Sequence, residues 1–218
     1  MNAKTLRGII ELGESDTVEF KRKFSGFEKI AKEMIALANT RGGILLVGVD
    51  DDGRIVGVPS EKSEIELLVG AAEVYSDPPI DAEIDIVDID GVDVIAVTIP
   101  ESRVKPHRLV IPYTSANGVT EGTGVYIRHG ERSVMASKEV TRVLEASRPE
   151  APPLRLEIGS IEEALFDYLQ IHGRATLREY RQVANISQRR ASRSLVRLVR
   201  AGILRIFTHE AEDYYTLA

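Results

Sequence analysis

The chain has 218 residues, of which 43% are hydrophobic and 28% charged, and its formal net charge is −6. This length suits one large core, or one core with a small second domain. The lack of cysteine excludes disulfides and thiolate metal sites, and no apolar run reaches the length of a membrane span. We therefore expect a soluble, cytoplasmic protein without membrane contacts.

The first informative stretch covers residues 14–24. From residue 18 onward apolar and charged residues alternate, with Val18, Phe20 and Phe24 against Glu19, Lys21 and Lys23. This period predicts a half-buried strand with an outer charged face. Carboxylates grouped at Glu14 and Glu19 suit Mg²⁺ or Mn²⁺, and Lys21 could stabilise charge on a phosphate. On this segment alone, a solvated strand face is the favoured interpretation.

The rest of the first domain alternates helices and strands. Apolar spacing and turn residues predict helices over 27–39, 61–75 and 137–146, a buried strand over 44–49, its hairpin partner over 54–58, a second hairpin over 82–99, a loop over 112–124 and a strand over 125–130. This order predicts an α/β fold with a mixed sheet and flanking helices over residues 1–146. Residues 147–158 are rich in proline and predict a linker.

The C-terminal residues 159–218 predict three helices followed by two short strands. This is the plan of a winged helix-turn-helix domain, whose third helix enters the major groove. One face of that helix carries Arg189, Arg190, Arg193, Arg197 and Arg200. Residues 174–205 hold nine arginines and one acid, Glu179. A solvated helix face is the alternative, but such unbalanced charge favours contact with nucleic acid.

Four stretches, taken in order, resemble one family. They are Glu14-Ser-x-x-Val-Glu-Phe-Lys21, Ala36-Leu-Ala-Asn-Thr-x-Gly-Gly43 with the following Leu46-Val-Gly-Val-Asp-Asp-Asp-Gly53, Lys105-Pro-His107, and Val125-Tyr-Ile-Arg-x-Gly130. Together they resemble the Schlafen-type AlbA-like domain, a family regarded as DNA-binding, over about residues 10–146. Residues 159–218 resemble a generic winged-helix domain. The pair is similar to prokaryotic proteins called transcriptional regulators.

The resemblance implies a site of three carboxylates, because nucleolytic Schlafen proteins cleave RNA with such a site. Its acids would be Glu14, Glu19 and Asp51, with Asp50 and Asp52 left open as the third acid, and Lys21 matches the motif lysine. The implied activity is endonucleolytic cleavage of tRNA-like or single-stranded RNA with Mg²⁺ or Mn²⁺. The same motif is usual in members regarded only as DNA binders. A non-catalytic winged-helix regulator of transcription is therefore the alternative.

Other basic residues extend the predicted nucleic-acid surface. Arg22 and Lys23 could steer a phosphate backbone toward the carboxylates, although a charged strand edge that resists aggregation explains them equally well. We assign Lys105 and Arg128 to the same surface. We expect His107 to be a surface histidine rather than a general base. Vertebrate Schlafens duplicate this domain to make a clamp, so a clamp here would require a homodimer.

Overall fold

A computed structural model describes residues 1–111, 124–209 and 212–218. The chain divides into two compact units, Met1–Met135 and Ala136–Ala218. The sequence predicts a domain boundary within 147–158, and the helix that follows Ser137 belongs to the second compact unit. The loop predicted over 112–124 lies, apart from Gly124, outside the described residues. Within the described ranges, no helix is long and apolar enough to cross a membrane.

The first unit combines helices with two sheets. Its elements are α1 Ala3–Leu12, β1 Val18–Lys21, α2 Phe27–Asn39, β2 Gly43–Val47, α3 Glu61–Val74, β3 Ser76–Asp77, β4 Glu83–Ile89, β5 Val92–Ile99, β6 Arg108–Leu109, β7 Gly124–His129 and β8 Arg132–Met135. Among the described residues, the strands form sheets in the orders β1-β2-β5-β4 and β3-β6-β7-β8. Strand β1 pairs parallel to β2, whereas β5 runs antiparallel to both β2 and β4. The predicted mixed sheet with flanking helices is therefore confirmed.

Both faces of the sheet that contains β1 are covered. Neighbouring residues of β2, Leu45 and Leu46, are each fully buried because successive side chains point to opposite faces. Leu45 belongs to the core built on α2, and Leu46 packs in the core that contains α1. Helix α1 was not predicted from the sequence. Glu19 is in register with Leu45 and is only 5% exposed, so the predicted outer, solvated face of β1 is wrong.

A buried amide on α2 explains two of the sequence motifs. Asn39 donates through Nδ2 to the carbonyl oxygens of His107 and Tyr126, each at 2.9 Å. Its Oδ1 accepts the backbone N–H of His107 at 2.7 Å. His107 is itself 2% exposed, and its ring contacts Pro78 O and Ser102 Oγ. The prediction of a surface histidine is therefore wrong, because this segment is held against the end of α2.

The second unit has the helices and strands that the sequence predicts, plus one short strand. Its elements are α4 Lys138–Ala146, α5 Ser160–His172, β9 Ala175–Thr176, α6 Leu177–Val183, α7 Gln188–Arg200, β10 Leu204–Phe207 and β11 Tyr214–Leu217. The strands form an antiparallel sheet in the order β10-β11-β9. Its core contains Leu165 and Leu169 of α5, Tyr180 of α6, and Leu195 and Leu198 of α7. Helix α4 contacts α7.

Candidate functional site

The acidic motif of β1 surrounds a buried arginine. The Nη1 of Arg128, on β7, lies 2.8 Å from Glu19 Oε2 and 3.0 Å from Glu33 Oε2 on α2. Its Nη2 donates to the carbonyl oxygen of Ser15 at 2.7 Å. The Arg128 side chain is 0% exposed. This corrects the assignment of Arg128 to a nucleic-acid surface, because its guanidinium is enclosed between two carboxylates and cannot reach a phosphate in this arrangement.

A second cation holds the other oxygen of Glu19. The ammonium of Lys21 pairs with Glu19 Oε1 and also donates to the carbonyl oxygen of Phe20 at 2.9 Å. Glu19 and Lys21 are two positions apart on one strand, so their side chains leave the same face. The sequence predicted this proximity. It did not predict that Glu19 would also meet Arg128, so that both carboxylate oxygens are engaged by cations.

Glu33 is a member of this cluster that sequence reasoning missed. Its Oε2 accepts from the hydroxyl of Ser133 and from Arg128. Burial raises the pKa of Glu33 above its ordinary value, and the nearby charge of Glu19 raises it further. The hydrogen bond from Ser133 and the charges of Lys21 and Arg128 lower the pKa but do not cancel the effect of burial. A signal was present in the sequence. Glu33 occupies a helix position three residues after Ile30 and four before Leu37, both fully buried, so its side chain leaves the inward side of α2.

Glu14 lies close to this cluster but is held by the backbone. Its Oε1 accepts the N–H of Phe20 at 2.8 Å. Burial raises the pKa of Glu14, and the charges of Glu19 and Asp51 raise it further. The hydrogen bond from the Phe20 N–H and the charge of Lys21 lower this pKa in part. The charges of Glu19, Asp51 and Lys21 therefore all act on Glu14.

The residues of this neighbourhood do not fit a metal ion as they are arranged. Across the described parts of the chain, no three carboxylates or imidazoles converge on one point that could hold a cation. Both oxygens of Glu19 are taken by Lys21 and Arg128, and one oxygen of Glu14 is taken by a backbone N–H. A hard cation needs several free oxygen ligands. The acids here instead engage the buried Arg128 and the partly exposed Lys21.

The three consecutive aspartates of the β2 turn have different partners. Asp50 Oδ2 lies 2.7 Å from Arg54 Nη2 and 3.2 Å from Arg22 Nη1. The hydrogen bond from Arg54, aided by Arg22, holds the pKa of Asp50 below its ordinary value. Asp52 Oδ1 accepts the backbone N–H of Arg54. Asp51 is the aspartate of this turn whose charge raises the pKa of Glu14.

The other basic residues that the sequence assigned to a nucleic-acid surface of the first unit are Arg22, Lys23 and Lys105, and they fall into two groups. Arg22 and Lys23 are both near the end of β1; Lys23 is exposed, and the Arg22 side chain is 62% exposed while it pairs with Asp50. Lys105 donates to Thr40 O at 2.7 Å and to Glu101 Oε1 at 2.6 Å, and its side chain is 13% exposed. Lys105 therefore helps to fix its own segment.

The arginines of α7 form a continuous basic surface, here called the arginine face: Arg189, Arg190, Arg193, Arg197 and Arg200. The first four are exposed and Arg200 is half-buried. The opposite side of α7 is fixed in the core by Leu195 and Leu198. No carboxylate pairs with the arginine face among the residues that the structure describes. The first four arginines thus lie on the side of α7 that faces away from this core.

Solved structures that are similar to the chain include the following two. The DIP2311 protein from Corynebacterium diphtheriae is 18% identical, with a TM-score of 0.47, and the match covers 85% of this chain and 32% of that protein. The N-terminal domain of a protein related to the ATP-dependent DNA helicase RecG, from Nitrosomonas europaea, is 21% identical, with a TM-score of 0.44. That match covers 73% of this chain and 96% of the domain. The chain thus spans less than two thirds of the DIP2311 protein. No curated protein matches the chain.

The family described as Schlafen, AlbA_2 matches residues 14–137. This is more than half of the chain, and it contains β1, α2, the aspartate turn and Arg128. The matched range therefore includes the whole acidic cluster together with Lys21 and Arg128. The chain belongs to the Schlafen, AlbA_2 family.

Proposed function

We propose that this protein binds nucleic acid through the arginine face, and that it acts as a DNA-binding regulator of transcription. The observation that carries the proposal is the arginine face itself, which has exposed guanidinium groups on one side of a helix whose other side is anchored in a core. Fixed arginines without carboxylate partners suit phosphate oxygens and base edges. Membership of the Schlafen, AlbA_2 family supports the same general class of function.

The order of elements in the second unit supports a winged helix-turn-helix. Helix α5, strand β9, helices α6 and α7, and strands β10 and β11 follow one another in the order of that fold. In such domains the second helix of the turn lies in the major groove, and residues near its N-terminus contact base edges. Helix α7 takes that role here, with Arg189, Arg190 and Arg193 in its first turns. Strands β10 and β11 form the wing.

The acidic net charge does not oppose this function. Charges further apart than roughly 8 Å are largely screened at physiological ionic strength, so the local cluster on α7 decides the contact. A homodimer would place two arginine faces on successive half-sites of a duplex. Sedimentation of the protein with a long duplex, which gives the number of chains bound, tests that part of the proposal.

The test of the main proposal is a binding assay with matched variants. Fluorescence anisotropy with duplex DNA, duplex RNA and single-stranded RNA would compare wild type with Arg193→Gln and Arg155→Gln. Arg155 is exposed and belongs to the segment before α5, outside α7, so its substitution removes the same charge from the same unit. We expect weaker binding in Arg193→Gln alone. Equal binding by all three proteins would refute the role of α7.

A second candidate function is metal-dependent endonucleolytic cleavage of RNA with Mg²⁺ or Mn²⁺. The observation that favours it is that the charges of Glu19 and Asp51 both raise the pKa of Glu14, with Lys21 paired to Glu19. This function requires a rearrangement in which Arg128 leaves Glu19 and frees its oxygens. Cleavage of transfer RNA and single-stranded RNA, with either metal or with EDTA, would compare wild type with Glu19→Gln and the exposed Glu11→Gln. Metal-dependent cutting lost only in Glu19→Gln supports this candidate, and no cutting by wild type rejects it.

A further inference from the structure

A groove within the second unit runs along the arginine face. It has a volume of about 830 Å³ and is lined by helix α4, by residues 151–152 and by α7. Four of its basic residues, Arg190, Arg193, Arg197 and Arg200, belong to the arginine face. Arg189, the remaining member of the arginine face, does not line it. The groove volume is within the range of about 300–1,000 Å³ that small-molecule sites occupy.

Hydrogen bonds between the two helices hold the walls of this groove. Ser192 of α7 is 1% exposed, and its hydroxyl donates to Glu139 Oε1 on α4 at 2.7 Å. Arg142, also on α4, donates to the Ser192 hydroxyl and lies 3.6 Å from Glu139. Arg142 itself lines the groove. These contacts fix Arg142 in the part of the wall that α4 contributes to the groove.

The lining combines strong positive charge with apolar surface. Besides the arginines, the lining includes Ala146, Ala151, Pro152 and Val196, and one acid, Glu145. Guanidinium groups bind phosphate in a bidentate geometry and stack against planar rings. A ligand that matches both parts of this lining carries at least two phosphate charges and one flat, weakly polar ring system.

We infer that the groove is a binding site for a free nucleotide with two or more phosphates. Its phosphates contact Arg193 and Arg197, and its base lies against Pro152 and the neighbouring alanines. The same two arginines belong to the face proposed to contact DNA, so bound nucleotide excludes the duplex. That competitive regulation rests on the proposed function, whereas binding of the nucleotide does not.

The first experiment measures binding to the full chain by isothermal titration calorimetry in EDTA. The ligands are ADP and GDP, with adenosine, guanosine and pyrophosphate as partial ligands. We expect at least one diphosphate to bind roughly tenfold or more tightly than its nucleoside and than pyrophosphate, because only the nucleotide matches both parts of the lining. Absence of ADP and GDP binding, or equal binding of pyrophosphate, would overturn the inference. Tighter binding of a short single-stranded oligonucleotide would overturn the assignment to a free nucleotide.

Variants separate the groove from the arginine face as a whole. Arg193→Gln should weaken nucleotide binding roughly tenfold, since it removes a charge-assisted contact. Arg189→Gln removes the same charge from the same helix outside the groove and should leave nucleotide affinity unchanged. Ala151→Trp keeps every arginine but fills the groove, and should abolish nucleotide binding. Circular dichroism melting of each variant identifies any loss of affinity that is caused by unfolding. Equal losses in folded Arg189→Gln and Arg193→Gln would refute a defined site.

Competition distinguishes failure of this inference from failure of the proposed function. If wild type binds both ligands, ADP or GDP should displace duplex DNA, and Ala151→Trp should bind DNA but resist displacement. Nucleotide binding without DNA binding would reject the proposed function and retain the groove. DNA binding that no nucleotide displaces would reject the regulatory role.

Discussion

The carboxylate of Glu19 and the guanidinium of Arg128 form a buried ion pair, with Oε2 and Nη1 2.8 Å apart. The two residues are separated by 109 positions in the sequence and belong to different sheets of the first unit. Helix α2 contacts strands of both sheets and adds Glu33 to the same guanidinium. The ion pair therefore joins the two sheets of the first unit, and it is also part of the candidate acidic site.

Removal of Arg128 should strongly destabilise the first unit. Arg128→Met leaves the carboxylate of Glu33 buried without its cation, and Glu19 with Lys21 alone. Breaking a buried pair by removing one partner costs about 3–5 kcal/mol in the free energy of unfolding. Arg7→Met is the control, because Arg7 pairs with Asp90 on the surface, where both side chains are well exposed and the cost is roughly 1 kcal/mol or less. Urea denaturation measures both changes, and similar losses would contradict the central role of Arg128.

The free energy of unfolding should depend on pH in a way that reflects the raised pKa of Glu33. Its pKa is raised by burial above the ordinary value of 4.5, so the folded state binds a proton more tightly than the unfolded chain does. The stabilisation from protonated Glu33 is thus gained as the pH falls through the folded-state pKa toward 4.5, and lost as the pH rises. The Glu33→Gln variant has no ionisable group at this position, so its stability lacks this pH-dependent contribution.

The measurement compares the free energy of unfolding of wild type and Glu33→Gln between pH 7 and pH 4.5. The difference should move in favour of wild type as the pH falls. Glu28→Gln, on the exposed side of the same helix, gives the effect of removing one charge from α2. A difference that is constant across this range, or that moves in the opposite direction, would refute the raised pKa of Glu33.

The glycine pair after α2 should be intolerant of side chains for a structural reason. A Cβ on Gly43 would lie 2.3 Å from the carbonyl oxygen of Thr17, and φ at this position is +156°. The same carbonyl accepts the N–H of Ile44 at 2.8 Å, so it cannot move away without loss of strand pairing. We expect Gly43→Ala to destabilise the protein by more than the roughly 1 kcal/mol that strained backbone alone costs.

Gly8 provides the opposite case within the same unit. It lies inside α1, and a Cβ there would meet nothing within 4 Å. Gly8→Ala should therefore stabilise the protein by roughly 0.5–1 kcal/mol, because alanine loses less entropy in a helix. Guanidinium denaturation of the two variants compares them directly. A Gly43→Ala protein as stable as wild type would contradict the close approach of the Thr17 carbonyl to this position.

Local sequence patterns predicted most elements of the fold but not the environment of the acidic site. The apolar period over 27–39 and the Asp-Gly turn at 90–91 gave α2 and the β4–β5 hairpin, because both signals are local. The burial of Glu19 depends on α2 and β7, which cover its face of the sheet, and on a cation 109 positions away. No alternation along β1 carries that information. The available sequence signal was Glu33, a charged residue at an inward position of α2. It indicates that the face of the sheet beneath α2 is polar although it is buried.

The arginine face should give duplex binding a measurable dependence on salt. Each arginine that neutralises a phosphate releases counterions, so it contributes about 0.9 to the slope of log affinity against log salt concentration. Arg197→Gln should therefore lower the affinity for the duplex and reduce this slope by about 0.9. If Arg197 contacts phosphate, the loss of affinity should be the same for unrelated sequences. A loss confined to one preferred sequence would assign Arg197 to a base edge instead. Arg155→Gln should leave the slope unchanged, since that arginine lies outside α7. Anisotropy titrations from low to physiological salt measure the slopes, and identical slopes for all three proteins would place the contact surface elsewhere on the molecule.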